Sequence, residues 1–215
     1  MGPRPPLLSL DRPFVDAGLV QRASPNYLYG TTGGGAYLLH HGLDFGNPFG
    51  SRVTAVAGGE VIFSGEDRTG DAFGPRKGSF PEGFYGRLVV IRHRIPGSDR
   101  PLYSLYGHLH RSLVRRRQAV RQGQPIGEVG MAGIALGPHL HLELRDAAAD
   151  YERTFNPYLF LRPLPDEGLI IGRVSDPAGK AIAKAPVNLF RLGDKGAAEW
   201  WMATATYVEG PVRPY

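Results

Sequence analysis

GPHLHLELR at residues 137–145 is the stretch on which the reading of this chain turns. Taken as a strand, its side chains alternate between two faces. His139, His141 and Glu143 then share one face, and Leu140, Leu142 and Leu144 share the other. Three leucines suit a core. Two imidazoles and a carboxylate mounted on that core form a rigid base for metal chemistry. A half-exposed strand turning polar residues to water fits the same string as well, because a single His-x-His pair is a weak signal.

The stretch HHGLDF at 40–45 shifts that balance. A histidine and an aspartate four apart, with a glycine between them, can bend toward one ion. Catalytic zinc takes three nitrogen or oxygen ligands and keeps one position for water. His40, Asp44 and one histidine of the HLH strand make such a set. With one carboxylate the site keeps a positive charge, which favours ionisation of bound water. The remaining histidines can accept a proton or donate to a developing oxyanion. His41 competes with His40 for the first position. His108 and His110 form a second HLH string in YGHLH, and His93 stands apart from the three groups.

The surroundings of these stretches are β-type. The chain has 215 residues, with 30 Gly and 19 Pro, a turn-rich composition that favours many short strands. Strands are expected at Val53–Ala57, Glu60–Ser64, Arg87–His93, Leu102–Tyr106, Pro125–Val129 and His139–Leu144, each bounded by turn residues. AVAGGEV at 55–61 reads as a hairpin turning at Gly58-Gly59. Residues 65–86 form a long Gly-rich loop of the kind usually tied to function. Helical periodicity is confined to a short turn near Asp146–Arg153.

Three units are expected: an irregular, Pro-rich segment at 1–30, a β-rich domain at 31–165 that holds the candidate metal site, and a partial β-sandwich at 166–215. The last has two strand candidates around a turn at Asp176–Gly179 and a third at 200–208. About 50 residues is a thin basis for an independent sandwich, and the ending VEGPVRPY favours a domain cut partway.

Composition excludes several classes. There is no cysteine, so thiol catalysis, cysteine zinc sites and disulfides are ruled out. No apolar run approaches a signal peptide or a membrane span. No G-x-S-x-G elbow and no phosphate loop is present. The net charge is +5, with a basic run at Arg111, Arg115, Arg116, Arg117 and Arg121. Such a run is most often a solvated edge. Its sharper reading is attraction to an anionic polymer, nucleic acid or cell-wall material, and nothing but charge favours nucleic acid.

Taken in order, these landmarks resemble the lysostaphin/LytM-type zinc endopeptidases, which cut peptide bonds in bacterial peptidoglycan. The resemblance runs from about Tyr27 to Leu161. HHGLDF carries the family's HxGxD motif, FGSRVTAVAGGEVIFSG the segment after it, and YGRLVVIRH and LYSLYGHL the next strands. AVRQGQPIGEVG, GPHLHLELR and NPYLFL follow in family order. The resemblance implies a mainly β fold: an antiparallel β-sheet peptidase core of the duplicated hybrid motif, or lipoyl-barrel-like, type. It implies one zinc ion per chain, held by His40, Asp44 and His141. His139 would be the general base or the group that orients the water, and His108 would bond the water or the oxyanion. The HxGxD spacing selects His40 over His41. His41, His93 and His110 receive no role.

Two departures stand out. MAGIALGPHLH lacks the Ser or Thr usual shortly before this motif, and neither Tyr29 nor Tyr37 clearly occupies the family's upstream tyrosine position. The C-terminal GRVSDPAGKAIAKAPVNLF looks like the opening of a transthyretin-like or carboxypeptidase-regulatory-like sandwich.

The implied function is hydrolysis of peptidoglycan cross-links or stem peptides by a monomer outside the cytoplasm, with no nucleic-acid partner. A catalytically silent relative that binds wall material or activates another hydrolase is the alternative, but such relatives typically lack zinc ligands. A lipoyl- or biotinyl-type carrier would need an exposed lysine at the hairpin tip, where Gly58-Gly59 stand.

Overall fold

The computed structural model describes residues 9–67, 73–74, 83–148, 150–182, 184–193 and 196–206. Most of the long loop expected at 65–86 and the closing VEGPVRPY lie outside the described residues.

The fold is almost wholly antiparallel sheet. The strands are β1 (Leu43–Gly46), β2 (Arg52–Thr54), β3 (Gly59–Glu66), β4 (Arg87–His93), β5 (Leu102–Gly107), β6 (Leu109–Ser112), β7 (Ala119–Val120), β8 (Pro125–Val129), β9 (His139–Arg145), β10 (Thr154–Phe155), β11 (Pro186–Leu192) and β12 (Ala198–Ala205). A seven-stranded sheet runs β1-β9-β5-β4-β3-β7, with β10 also on β9. A three-stranded sheet runs β2-β8-β6. The one helical element among the described residues is a 3₁₀ turn at Pro157–Leu159, with Pro157 at its start and the Asn156 side chain accepting from the Tyr158 amide. No helix of the described residues is long and apolar enough to cross a membrane.

The main core fills the space between the two sheets. It takes Leu140, Leu142 and Leu144 from β9, Val89 and Ile91 from β4, and Val53, Leu109, Ile126 and Val129 from the smaller sheet. The alternate residues of β4, Leu88 and Val90, enter a second cluster with Tyr85 and Leu105. β4 is thus apolar on both faces because both faces are covered. The irregular N-terminal segment belongs to the same core. Leu10, Phe14, Ala23 and Tyr29 are buried in it, and Leu10 makes a parallel bridge to Leu161.

Two expectations need correction. AVAGGEV is not a hairpin: β2 pairs with β8, and β3 pairs with β4 and β7. Gly58-Gly59 carries the chain from one sheet to the other. Gly59 is needed for close approach, since a Cβ there would lie 2.4 Å from the Arg92 carbonyl oxygen. The strand expected at Val53–Ala57 stops at Thr54, because Ala55 bonds instead to the 121–124 turn through Gln124 O and Gly123 N.

Beyond residue 166, β11 and β12 form a two-stranded hairpin of their own. The turn at Asp176–Gly179 is flanked by one bridge, Ser175 to Ala181, in place of two strands. Every residue of β12 is exposed, Trp200 and Trp201 included.

Candidate metal centre

Strand register assembles the site. β1 runs antiparallel to β9 with Asp44 opposite His141 and Gly46 opposite His139. On the other side of β9, Gly107 of β5 lies opposite His141. The neighbouring pairs, Leu43 with Leu142 and Phe45 with Leu140, turn into the core. The period-2 alternation therefore delivers Asp44, His139 and His141 to one surface.

The glycine of HHGLDF has a steric reason. A Cβ on Gly42 would lie 2.5 Å from the Leu142 carbonyl oxygen and 2.8 Å from the His141 ring. The chain must pass that close to His141 for His40 to reach the same point as Asp44.

The three inner atoms converge. His40 Nε2 is 3.2 Å from Asp44 Oδ1 and 3.3 Å from His141 Nδ1, and His141 Nδ1 is 2.8 Å from Asp44 Oδ1. Ligands about 2.0–2.1 Å from a tetrahedral zinc are separated by roughly 3.3 Å, so the triangle has the right size. The outer nitrogens fix the tautomers. His40 Nδ1–H donates to the Tyr27 carbonyl at 2.8 Å, which leaves Nε2 facing inward with its lone pair. The ring also stacks on Tyr27, centroids 4.0 Å apart and planes 5° apart. His141 Nε2–H donates to Glu143 Oε1 at 2.9 Å, which turns Nδ1 inward. Two imidazole nitrogens, each anchored from behind, and a carboxylate aimed at the same point are the arrangement of a metal-ligating set. The residues present fit a zinc ion.

Burial opposes charge on His141, but its hydrogen bonds to Asp44 and Glu143 prevail and raise its pKa to about 9. Burial likewise opposes ionisation of Asp44, and its bonds to His141 and His40 outweigh that and hold its carboxyl well below the usual range. Without metal, a proton on His141 supplies the positive charge between two carboxylates.

Two further histidines border the triangle. His139 Nδ1–H donates to Gly137 O at 2.8 Å, and its Nε2 stands 3.7 Å from Asp44 Oδ1. His108 Nδ1–H donates to Ala132 O at 2.8 Å. Its ring centroid is 4.7 Å from that of His139 and 5.7 Å from that of His141. Burial, then repulsion from His141 and His139, lowers the His108 pKa to about 3, so the ring is neutral. His108 also holds φ at 60°, a conformation rare for a residue with a side chain. Such strain persists only where the surroundings impose it, and it gathers at functional sites.

The other histidines lie elsewhere. His41 bonds the Tyr151 carbonyl at 2.7 Å and stacks on the Tyr151 ring. His93 is buried between Gly58 O and Ser104 Oγ. His110 is exposed beside Phe49.

Sequence reasoning places Glu143 on the histidine face but misses what lies behind it. Arg145 is the next residue on that face, and its Nε donates to Glu143 Oε2 at 2.6 Å. Tyr85 donates its hydroxyl hydrogen to Glu143 Oε1 and accepts from Arg145 at 2.8 Å. Glu143, Arg145 and Tyr85 are all fully buried or nearly so. Burial disfavours a charged Glu143, yet Arg145 and His141 bring its pKa down to about 2. Reading the alternation two residues past Glu143 would have found Arg145, whereas Tyr85 comes from a segment 60 residues away.

Residues 38–157 match the sequence profile of peptidase family M23. The chain belongs to that family. Among its curated relatives, the DD-carboxypeptidase/endopeptidase Mpg of Neisseria meningitidis is 37% identical over 109 residues, 51% of this chain and 20% of the relative. The peptidoglycan DD-endopeptidase ShyC of Vibrio cholerae is 33% identical over 120 residues, 56% of this chain and 23% of the relative. The matched region thus spans about a fifth of those proteins. Of solved structures, the catalytic domain of the prophage-encoded M23 protein EnpA from Enterococcus faecalis aligns with a TM-score of 0.50 and 27% identity, covering 68% of this chain and 95% of that one. The SpoIIQ–SpoIIIAH complex aligns at TM-score 0.51 and 21% identity, over 71% of this chain and 99% of the other, which speaks to the fold alone.

Proposed function

We propose that this M23 peptidase is an active zinc-dependent endopeptidase that hydrolyses peptide bonds in bacterial peptidoglycan cross-links or stem peptides. The observation that carries the reading is the convergence of His40 Nε2, Asp44 Oδ1 and His141 Nδ1, with both imidazoles oriented from behind. The names of the relatives supply the substrate class.

Zinc held by these three residues would bring the pKa of a water to about 7 and polarise the scissile carbonyl. The chain's own residues handle the proton. His139 presents Nε2 as an acceptor, because its Nδ1–H is committed to Gly137 O. It is partly exposed, with 17% of its side chain accessible. We assign it the general-base role: it takes the proton of the attacking water and returns it to the leaving amine. His108 also presents Nε2 as an acceptor, since Nδ1–H is bound to Ala132 O. Its low basicity suits orienting the water by accepting a hydrogen bond and does not suit holding a proton. In this tautomer it does not donate to the oxyanion.

Residues 166–215 are read as a sandwich-type module outside the peptidase domain at 31–165. The working place of the protein is read as outside the cytoplasm, where its substrate lies, and its working form as a monomer.

The test pairs two measurements. Elemental analysis should find one zinc per chain, and mass analysis of digested peptidoglycan fragments should find a cut peptide bond. His141→Ala should lose both. One equivalent of zinc with no cleavage of any wall substrate would favour the silent, wall-binding alternative.

A further inference from the structure

The turns between β6 and β8 carry Arg115, Arg116, Arg117 and Arg121, all exposed. None of the four makes an ion pair or a side-chain hydrogen bond among the described residues. Other exposed arginines do: Arg22 with Asp166 and Glu167, Arg92 with Glu60, Arg111 with Glu128 and Arg191 with Glu199. Arg52, Arg94 and Arg100 are exposed without such partners as well, but they stand singly, whereas these four fall within seven residues, the densest group of unpaired arginines among the described residues.

The backbone beneath it is held. Gln118 Oε1 accepts from the Arg115 amide at 3.1 Å, and the Gln118 amide donates back to Arg115 O at 3.1 Å. The next turn repeats the device: Gln124 Oε1 accepts from the Arg121 amide at 3.0 Å, and the Gln124 amide donates to Arg121 O at 3.1 Å. Val114 and Val120 anchor the loop in the core. Arg117 sits at φ 70° with its amide bonded to Val61 O at 2.7 Å. An arginine occupies a backbone position that suits glycine, and the fold holds it there.

The turns also have a defined relation to the metal centre. β6 starts directly after His108, and β8 ends next to Gly130, which pairs with His139. The arginines lie beyond the far ends of those strands, which themselves span roughly 13–17 Å at about 3.3 Å per residue.

We infer that Arg115, Arg116, Arg117 and Arg121 form a second attachment surface that grips carboxylates of the peptidoglycan polymer away from the bond being cut. The inference rests on the proposed wall substrate. Peptidoglycan stem peptides carry free carboxylates, and planar guanidinium groups bind carboxylates through paired hydrogen bonds. A preformed backbone limits the ordering cost of binding. Nucleic acid fits less well, because residues 113–124 contain no aromatic side chain on which a base could stack.

The test compares the wild type with a combined variant, Arg115→Gln, Arg116→Gln, Arg117→Gly and Arg121→Gln. The glycine suits the backbone at 117, and thermal unfolding verifies that the variant folds. Co-sedimentation with insoluble peptidoglycan at low salt should weaken by roughly 10-fold or more. Turnover of a small soluble cross-linked fragment should stay unchanged. Wall whose carboxylates have been amidated should bind the wild type as weakly as untreated wall binds the variant. Variant sedimentation equal to wild type, binding indifferent to amidation, or tighter binding to a DNA duplex than to wall would each overturn the inference. If the wild type sediments as expected yet cuts no fragment, the peptidase assignment fails and the attachment surface stands.

Discussion

Glu143 Oε1 lies 2.9 Å from Nε2 of His141, two residues away on the same strand. The next residue on that face, Arg145, holds the other Glu143 oxygen. One strand face thus carries the proposed metal ligand His141, the carboxylate that orients it and the cation that keeps the carboxylate ionised. Glu143→Gln should weaken zinc binding by about 10–100-fold, the usual effect of losing such a partner. It also leaves Arg145 buried without its counter-ion, at a cost of about 3–5 kcal/mol. Chelator competition measures the first and denaturant unfolding the second. Zinc affinity equal to wild type would remove Glu143 from the site.

Gly42→Ala should damage the centre without replacing a proposed ligand. The added Cβ meets backbone at Leu142 O and the ring of His141, neither of which is a flexible tip. Overpacking of this kind costs about 1–3 kcal/mol. The displaced ring should also bind zinc less tightly. Loss of stability with zinc affinity intact would show that the β1 entrance gives way rather than His141.

The strand bearing the histidines is legible because HLHLELR alternates over seven residues with leucine on every second position. β1 and β6 are not legible in the same way. LDFG and LHRS are four residues each, too short for a period to show. The placing of Asp44 against His141 depends on register between residues 97 apart in sequence, which no local pattern encodes. The Gly58-Gly59 error has the same origin. Locally two glycines signal a turn, but here the close packing of Gly59 against Arg92 and the pairing with Val120 decide the path. The preference for His40 over His41 comes from motif spacing. In the structure Tyr27 lies behind one ring and Tyr151 behind the other, in segments far apart.

His40→Ala and His41→Ala should accordingly differ. The first should abolish zinc binding in the elemental assay. The second should retain one zinc and lose stability, because His41 is buried against Tyr151. Loss of zinc in both variants would reopen the choice of first ligand.

Zinc binding should depend on pH through His141. Its pKa in the folded, metal-free protein is raised from 6.5 to about 9. Its contribution to metal-free stability is therefore fully present below pH 6.5 and lost as pH rises through about 9. Zinc must displace that proton, so apparent affinity should rise by about tenfold per pH unit up to that region and level off above it. Calorimetric titrations in buffers of different ionisation heat should show proton release at pH 7. A flat affinity from pH 6 to 8, with no released proton, would contradict the assigned ligand atom.

The division between His139 and His108 is the finest point the geometry supports. Both rings have Nδ1–H tied to a carbonyl and Nε2 left as an acceptor. They differ in surroundings. His108 is buried, and its pKa of about 3 makes it a poor proton carrier; its backbone sits at φ 60°. His139→Ala should keep one zinc and lower kcat by about 10²–10⁴-fold, as expected for a general base. His108→Asn suits the variant test better than alanine, because asparagine tolerates positive φ. That variant should also keep zinc and lose turnover, but the acidic limb of the pH–rate profile should not move, since His108 never titrates in the working range. A shift of that limb in His108→Asn would transfer the base role from His139 to His108. Loss of zinc in His139→Ala would show instead that the two histidines of the HLH strand have exchanged parts.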